Sequence, residues 1–187
     1  MSTTKKINYI NYKMYNFRLI ANAEIKRFKN KVKSLSQKDW EEFNFRQNTY
    51  KVHRNTETIP LIFDTDFRSE NPTYLDKSNE FKDELNLCKE VFKKVYGEGL
   101  LIRAILVKLK ANSSVDPHID KGDSLQKCFR VHIPIITNEN VYFTVGNETK
   151  IFKEGEFWEI NNSGKIHSVE NKSMKGRVNL IADWIKK

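Results

Sequence analysis

After Gly99, apolar and polar residues alternate along a series of short segments, and this pattern constrains the fold more than any other feature of the sequence. Alternation with a period of two is typical of half-buried β-strands, because successive side chains of a strand point to opposite faces. Turn residues separate the segments at intervals of roughly ten residues, so we predict an antiparallel sandwich or barrel of the jelly-roll type. The predicted strands are Leu100–Lys110, Phe129–Ile136, Val141–Val145, Thr149–Phe152, Glu156–Ile160, Ile166–Glu170 and Val178–Trp184.

The first half of the chain shows a helical period instead. Apolar residues recur at close to helical spacing over Leu19–Leu35. A second apolar face runs over Ser78–Tyr96, and Gly97 supplies a stop signal. Between them, Val52–Phe67 contains Pro60 and is more typical of a strand and a loop. These patterns predict a mainly β protein with N-terminal helices.

The length of 187 residues is typical of one domain. We therefore predict a single domain, 1–187, in which a helix-rich region, 1–98, packs on a β core, 99–187. No stretch between the two is long or polar enough to act as a linker.

The composition excludes three classes of protein. The longest aliphatic cluster, Leu100–Val107, is interrupted by Arg103 and is far shorter than the roughly 18 apolar residues of a membrane span. Two cysteines cannot build the disulfide framework of a secreted miniprotein, and 7 glycines and 4 prolines do not make a fibrous protein. We predict a cytoplasmic protein, with reduced thiols, that does not bind membranes.

The net charge of +9 comes almost entirely from the N-terminal part of the chain. Residues 1–60 contain 13 lysines and arginines against 5 acidic residues, whereas residues 61–187 contain 20 against 19. Such a basic segment can bind an acidic partner such as nucleic acid or the ribosome. We favour the alternative, a solvated lysine-rich helix, over this partner.

Two histidines and one aspartate of the predicted β core suggest a metal site. His118 and Asp120 are two positions apart, so in extended backbone both side chains point to the same face. His167 lies on a later predicted strand, which a jelly roll can bring beside the first. Two imidazoles and one carboxylate form the facial triad of non-haem Fe(II) oxygenases, although zinc can use the same ligands. The alternative is an ordinary hydrogen-bonded His-x-Asp pair on a surface.

Arg177 begins an alternating strand and shares one face with Asn179 and Asp183. An arginine that faces the interior of a small barrel is costly unless an anion neutralises it. A dicarboxylate ligand would do so, and a salt bridge with Asp183 is the alternative. Arg130 and His132 also share a strand face, which again suggests an anionic ligand, with a hydrogen-bonded core histidine as the alternative.

From Leu101 to Trp184, the chain resembles the aspartyl/asparaginyl β-hydroxylase family of Fe(II)- and 2-oxoglutarate-dependent dioxygenases. Each matching motif is short, but their order and spacing are specific. The matching segments are Asp116–Asp120, Arg130–Pro134, Asn147–Lys150, Glu154–Glu156, His167–Asn171 and Arg177–Leu180.

The resemblance implies a double-stranded β-helix core and a catalytic iron held by His118, Asp120 and His167. It also implies that Arg177 binds the distal carboxylate of 2-oxoglutarate, with His132 and Arg130 near the other end. A hydroxyl group that helps to hold the distal carboxylate in some relatives has no counterpart here, and Val107 falls near its position.

A segment upstream of the predicted core, Val52–Ile59, resembles shorter bacterial relatives, among them hydroxylases of free proline. This likeness implies that His53 and Arg54 lie near the substrate opening and bind a substrate carboxylate. The alternative is that His53 caps a loop and Arg54 is solvated.

We therefore predict a monomeric dioxygenase that uses Fe(II), 2-oxoglutarate and O2. Its predicted reaction is hydroxylation of an unactivated C–H bond in an amino-acid residue, of the Asp/Asn type in a peptide or protein, or in a free amino acid such as proline. Two alternatives stay open: a non-catalytic metal-binding jelly-roll module, and a nucleic-acid-associated protein that acts through the basic N-terminal segment.

Overall fold

The computed structural model describes residues 15–63 and 71–187. Ten strands follow one another along the described chain. In chain order, they are β1 (Phe17–Asn22), β2 (Thr56–Ile62), β3 (Gly99–Leu109), β4 (Ser113–His118), β5 (Phe129–Ile136), β6 (Val141–Val145), β7 (Glu148–Lys150), β8 (Glu156–Ile160), β9 (His167–Asn171) and β10 (Arg177–Lys186).

The strands form two antiparallel sheets. The six-stranded sheet has the order β1-β8-β5-β10-β3-β2, and the four-stranded sheet has the order β4-β9-β6-β7. An apolar cluster that includes Phe17 and Leu109 of the larger sheet and Phe143 and Val169 of the smaller one packs between them. The predicted jelly-roll core is confirmed.

Helices cover the other face of the six-stranded sheet. The described helices are α1 (Lys26–Ser34), α2 (Gln37–Glu41), α3 (Phe45–Thr49), α4 (Lys82–Tyr96) and α5 (Asp123–Lys127). The largest apolar core lies under this layer and joins α1 and α4 to the strands, as in the packing of Phe92 with Trp184 at a ring separation of 5.9 Å. α4 ends where predicted, because Gly97 adopts a φ of +88°, which side-chain-bearing residues rarely adopt.

The predicted strand bounds are close to those observed. Phe129–Ile136, Val141–Val145 and Glu156–Ile160 have the predicted bounds, and the other four differ at their ends by a few residues. Alternation locates these strands well because each has one face in a core.

The predicted helix over Leu19–Leu35 is partly wrong. Its first part is strand β1, which pairs with β8, and the helix α1 begins only at Lys26. Leu19, on this edge strand, is 48% exposed. Pairing with a strand more than a hundred residues away determines the structure of this segment. The spacing of apolar residues within the segment cannot show such a distant pairing.

The predicted strand and loop over Val52–Phe67 is observed as far as the structure describes it. Its strand, β2, forms an edge of the larger sheet, and an edge tolerates Pro60, which has no N–H to donate to a second neighbour. The end of this segment, 64–67, lies outside the described residues, as do the first fourteen residues of the basic segment. Within 15–63 and 71–187, no helix combines the length and apolarity needed to cross a bilayer.

Candidate active site

The three predicted metal ligands meet at the edge of the smaller sheet. His118 ends β4 and His167 begins β9, and the antiparallel register pairs these two residues directly. Their ring centroids are therefore only 4.2 Å apart. Asp120 follows two residues later, and one ligand atom from each of the three residues lies within 4.8 Å of the others. This arrangement suits a divalent cation that accepts two imidazoles and one carboxylate.

Neighbouring groups orient the Asp120 carboxylate. Its Oδ2 accepts hydrogen bonds from the Arg130 guanidinium and from Asn162 Nδ2, the latter at 3.1 Å. The Asp120 backbone N–H also donates to the Asn162 carbonyl at 3.0 Å. Oδ1 lies on the side of His118, 3.8 Å from its Nε2. Outer contacts of this kind hold a carboxylate ligand in one orientation.

The imidazoles are oriented by backbone carbonyls. His118 Nδ1 lies 2.8 Å from the Asp116 carbonyl oxygen, and His167 Nδ1 lies 3.4 Å from that of Lys165. A carbonyl only accepts, so each Nδ1 carries the proton and each Nε2 keeps a lone pair for a metal.

The protonation states also suit metal binding. Burial, opposed in part by Asp120, lowers the pKa of His167 to about 4, so this imidazole is neutral at pH 7. Burial would raise the pKa of Asp120, but Arg130 and the two triad imidazoles outweigh it and hold that pKa below its usual value. A neutral imidazole and an ionised carboxylate are the forms that bind metals.

Arg177 lies in the interior as predicted by the strand pattern. It is 5% exposed, and no carboxylate of the described residues pairs with it. Burial lowers the pKa of Arg177 to about 10, so the guanidinium stays charged at pH 7. The alternative pairing with Asp183 is not observed, because Asp183 pairs with Arg103 and Arg130. A buried cation without an anion fits a site for an acidic ligand.

His132 also offers an unused polar atom in the interior. Asn179 Nδ2 donates to His132 Nδ1 at 3.2 Å, whereas His132 Nε2 is buried and has no hydrogen-bond partner among the described residues. Burial, with Arg177 next, holds the pKa of His132 well below its usual value, so this ring is neutral. The His132 Nε2 atom and the Arg177 guanidinium are thus two buried polar groups that suit an anionic ligand.

Arg130 bridges the triad and the interior. It forms a bidentate pair with Asp183, with Nε–Oδ1 and Nη2–Oδ2 distances of 2.8 Å each, and it also contacts Asp120. Arg130 thus lies beside Asp120, and its ion pairs within the described residues are with carboxylates of the protein. Its predicted contact with 2-oxoglutarate stays a prediction.

A cavity of about 260 Å³ opens beside the triad. His118 and Asp120 line it, and His53 lines it too, with its ring centroid 5.7 Å from that of His118. Arg54 does not line this cavity. Its half-exposed guanidinium lies 3.1 Å from the Asp116 carboxylate at the surface, so the structure does not bring Arg54 to the site.

The sequence analysis missed one basic residue of this cavity. Arg46, on the short helix α3, is only 9% exposed and lines the cavity opposite the strands. Its neighbours Asn44, Gln47 and Asn48 are polar, so no apolar period marked this helix in the sequence. The only sequence feature that could have pointed to Arg46 is its position seven residues before His53, and such a spacing is not specific.

Comparison with known proteins identifies the family. A family model described as aspartyl/asparaginyl beta-hydroxylase matches residues 7–187. No curated protein matches the chain.

Solved structures share the fold at low identity. An oxidoreductase of the 2OG-Fe(II) oxygenase family from Burkholderia pseudomallei aligns with a TM-score of 0.58 and 16% identity over 71% of this chain and 67% of its own. The non-haem monooxygenase ThoJ in a nickel complex aligns with a TM-score of 0.56 and 15% identity over 91% and 74% of the respective chains. The α-ketoglutarate-dependent epimerase SnoN from nogalamycin biosynthesis aligns with a TM-score of 0.50 and 10% identity over 71% and 61%.

The match covers nearly the whole chain, including the helical region that the motifs did not reach. The predicted family is confirmed: the chain is a hydroxylase that belongs to the aspartyl/asparaginyl β-hydroxylase family.

Proposed function

We propose that this hydroxylase binds Fe(II) through His118, Asp120 and His167 and uses 2-oxoglutarate and O2 as co-substrates. Its product is a hydroxylated amino-acid residue of the Asp/Asn type in a peptide or protein, or a hydroxylated free amino acid such as proline. The observation that carries the proposal is the buried Arg177, which has no carboxylate partner among the described residues and lies over the ring of Phe143.

Each hydroxylation of the substrate in this proposal consumes one molecule of 2-oxoglutarate and one molecule of O2. When bound, Fe(II) and 2-oxoglutarate would supply the oxidation by O2, in which one oxygen atom would enter succinate, CO2 would leave, and the other oxygen atom would become the hydroxyl group on the substrate carbon. The residues of the chain supply the ligand set, the binding groups and a site with restricted access of water.

Each residue has a distinct task in this proposal. Arg177 binds the distal carboxylate of 2-oxoglutarate through its guanidinium fork. His132 donates from Nε2 to the other end, and Asn179 holds the ring in the required tautomer. Arg130 keeps Asp120 ionised and oriented and lies close enough to the triad to contact the same end of the co-substrate.

A reducing compartment such as the cytoplasm suits this enzyme. Cys88 and Cys128, the two cysteines of the chain, are both buried, which fits reduced thiols. Fe(II) also requires protection from oxidation before turnover.

The test is anaerobic and needs no prime substrate. We would add Fe(II) and then 2-oxoglutarate to metal-free protein and record the weak visible charge-transfer band of the bidentate complex, with His167→Ala as the control. We expect the band in the wild type and not in the control. Absence of the band from the wild type, with tight zinc binding or no metal binding, would contradict the proposal.

A further inference from the structure

The charged lining of the cavity beside the triad is mostly basic. Among the described residues, Arg46, Arg103, Lys121 and Arg130 face it with one acidic side chain, Asp120. Arg103 and Arg130 share the carboxylate of Asp183, and Arg130 also contacts Asp120. Arg103 and Arg130 thus have carboxylate partners, and the buried charge of Arg46 is the one that still needs an explanation.

Arg46 has only neutral hydrogen-bond partners. Its Nη2 lies 3.0 Å from His53 Nε2, and its Nη1 lies 3.5 Å from Thr58 Oγ1. No carboxylate of the described residues forms an ion pair with it. Burial, with repulsion by Arg130 next, lowers the pKa of Arg46 to about 10, so it is a cation at pH 7. A buried cation with no counter-ion costs stability, and a ligand anion would offset that cost.

The contact with Arg46 also fixes the hydrogen-bonding role of His53. A guanidinium can only donate, so His53 Nε2 accepts and the ring proton is on Nδ1. His53 Nδ1 is buried, and no group within 15–63 and 71–187 forms a hydrogen bond with it. His53 thus offers an unused N–H beside His118, in the same cavity that Arg46 lines.

We propose that Arg46 and His53 form the subsite that binds a carboxylate of the prime substrate, and that Arg46 rather than Arg54 supplies its charge. This inference rests on the proposed function and deepens it by naming the substrate class. The carboxylate is either the α-carboxylate of a free amino acid or the side-chain carboxylate of a peptide residue, since both present the same planar pair of oxygens to the guanidinium. The cavity of about 260 Å³ accommodates a group of that size.

The experiment compares carboxylate probes with their amides. Protein loaded anaerobically with Fe(II) and 2-oxoglutarate is titrated calorimetrically with L-proline and L-prolinamide, and with N-acetyl-L-aspartate methylamide and N-acetyl-L-asparagine methylamide. We expect one carboxylate probe to bind the wild type about 30-fold or more tightly than its amide, because a buried charge pair is at stake. The responding pair distinguishes the free amino acid from the peptide residue.

Three variants test whether Arg46 produces the preference for the carboxylate over the amide. Arg46→Met should abolish it, and Arg46→Lys should keep part of it. Arg27→Met is the matched control, because Arg27 is 75% exposed in its side chain and pairs with Asp83. Arg46→Met should also keep the iron–oxoglutarate band and a Tm no lower than that of the wild type, since it removes an uncompensated buried charge.

Several results would overturn the inference. These are the lack of a carboxylate preference in the wild type, its survival in Arg46→Met, its loss in Arg54→Met instead, or loss of the band in Arg46→Met, which would indicate a structural role. Failure of the proposed function is distinct, because the wild type would then show no band, whereas the same titrations of the metal-free protein would still report the carboxylate preference of Arg46.

Discussion

At the scale of single residues, one amide determines which nitrogen of His132 carries its proton. Asn179 Nδ2 donates both to the Leu180 carbonyl oxygen at 2.9 Å and to His132 Nδ1 at 3.2 Å. The carbonyl only accepts, so the orientation of the amide is fixed and His132 Nδ1 must accept as well. The proton is then on Nε2, where it can be donated to an anion.

Asn179→Leu should therefore weaken binding of 2-oxoglutarate without abolishing it. The variant frees His132 to adopt the other tautomer, and we expect the 2-oxoglutarate Kd to rise by about tenfold, the value of one hydrogen bond to a charged group. Titration of the visible iron–oxoglutarate band measures this change. An unchanged Kd would show that Asn179 does not position His132.

The second residue-scale prediction concerns Arg177. We expect Arg177→Met to raise the 2-oxoglutarate requirement by about 30-fold to more than 1,000-fold, because the partner of a buried carboxylate is lost. The same variant should not lower the Tm of the protein without co-substrate, because Arg177 has no counter-ion among the described residues. A large fall in Tm with an unchanged requirement would instead indicate a structural arginine.

At the scale of elements, β10 is the strand that joins the chemistry to the core. Its alternate residues Val178, Leu180, Ala182 and Trp184 belong to the core under the helices, and the residues between them face the sheet interior. A register shift of β10 by one residue would turn its apolar side chains away from the core. Packing of these side chains therefore fixes the position of Arg177. The alternation of apolar and polar residues was enough to predict the two faces of β10, because every second side chain lies in the core under the helices.

Other parts of the site were not predictable in this way. Arg46 enters the cavity because Gln47, its neighbour on α3, hydrogen-bonds the Thr56 carbonyl of β2 at 2.9 Å. That contact depends on where an edge strand lies, which no local pattern encodes. The grouping of His118, Asp120 and His167 was predictable because His118 and Asp120 are close in sequence and strand pairing brings His167 beside them.

Gly155→Ala should destabilise the attachment of the edge strand β1. Gly155 has a φ of +80°, and a Cβ here would contact the Ala23 carbonyl oxygen, which follows β1. We expect the free energy of unfolding to fall by about 1–3 kcal/mol, measured by urea unfolding. Gly176→Ala is the matched control, since its nearest non-neighbouring atom would be 3.4 Å away. Equal losses in the two variants would contradict this explanation.

At the scale of the whole molecule, the region 1–98 does more than cover the β core. It supplies β1 and β2, the two edges of the six-stranded sheet, as well as the helices α1 to α4. The match to the family model over 7–187 includes this region.

Stability of the metal-free protein should depend on pH through its buried histidines. Burial lowers the pKa of His167 to about 4 and that of His53 to about 2, whereas an unfolded histidine titrates near 6.5. Below pH 6.5 the unfolded chain binds protons that the folded chain does not, so stability falls as the pH falls toward 4. Each such histidine contributes a slope of about 1.4 kcal/mol per pH unit at full effect.

Urea unfolding between pH 7 and pH 5 measures how the free energy of unfolding changes with pH. His53→Gln should reduce this slope by the contribution of one histidine. A free energy of unfolding that stays constant over this range would mean that these rings titrate in the folded protein as they do in the unfolded chain.

The contribution of α3 to the cavity has a consequence for how such an enzyme can change. The triad and the proposed co-substrate ligands all lie between His118 and Arg177, whereas Arg46 and His53 lie together on a short segment next to an edge strand. Under the proposed function and the inferred subsite, chemistry and choice of substrate occupy separate stretches of the chain. Exchange of residues 43–55 between relatives would transplant a substrate preference while leaving the oxidation machinery intact, so this segment is the natural unit for recombination and for redesign.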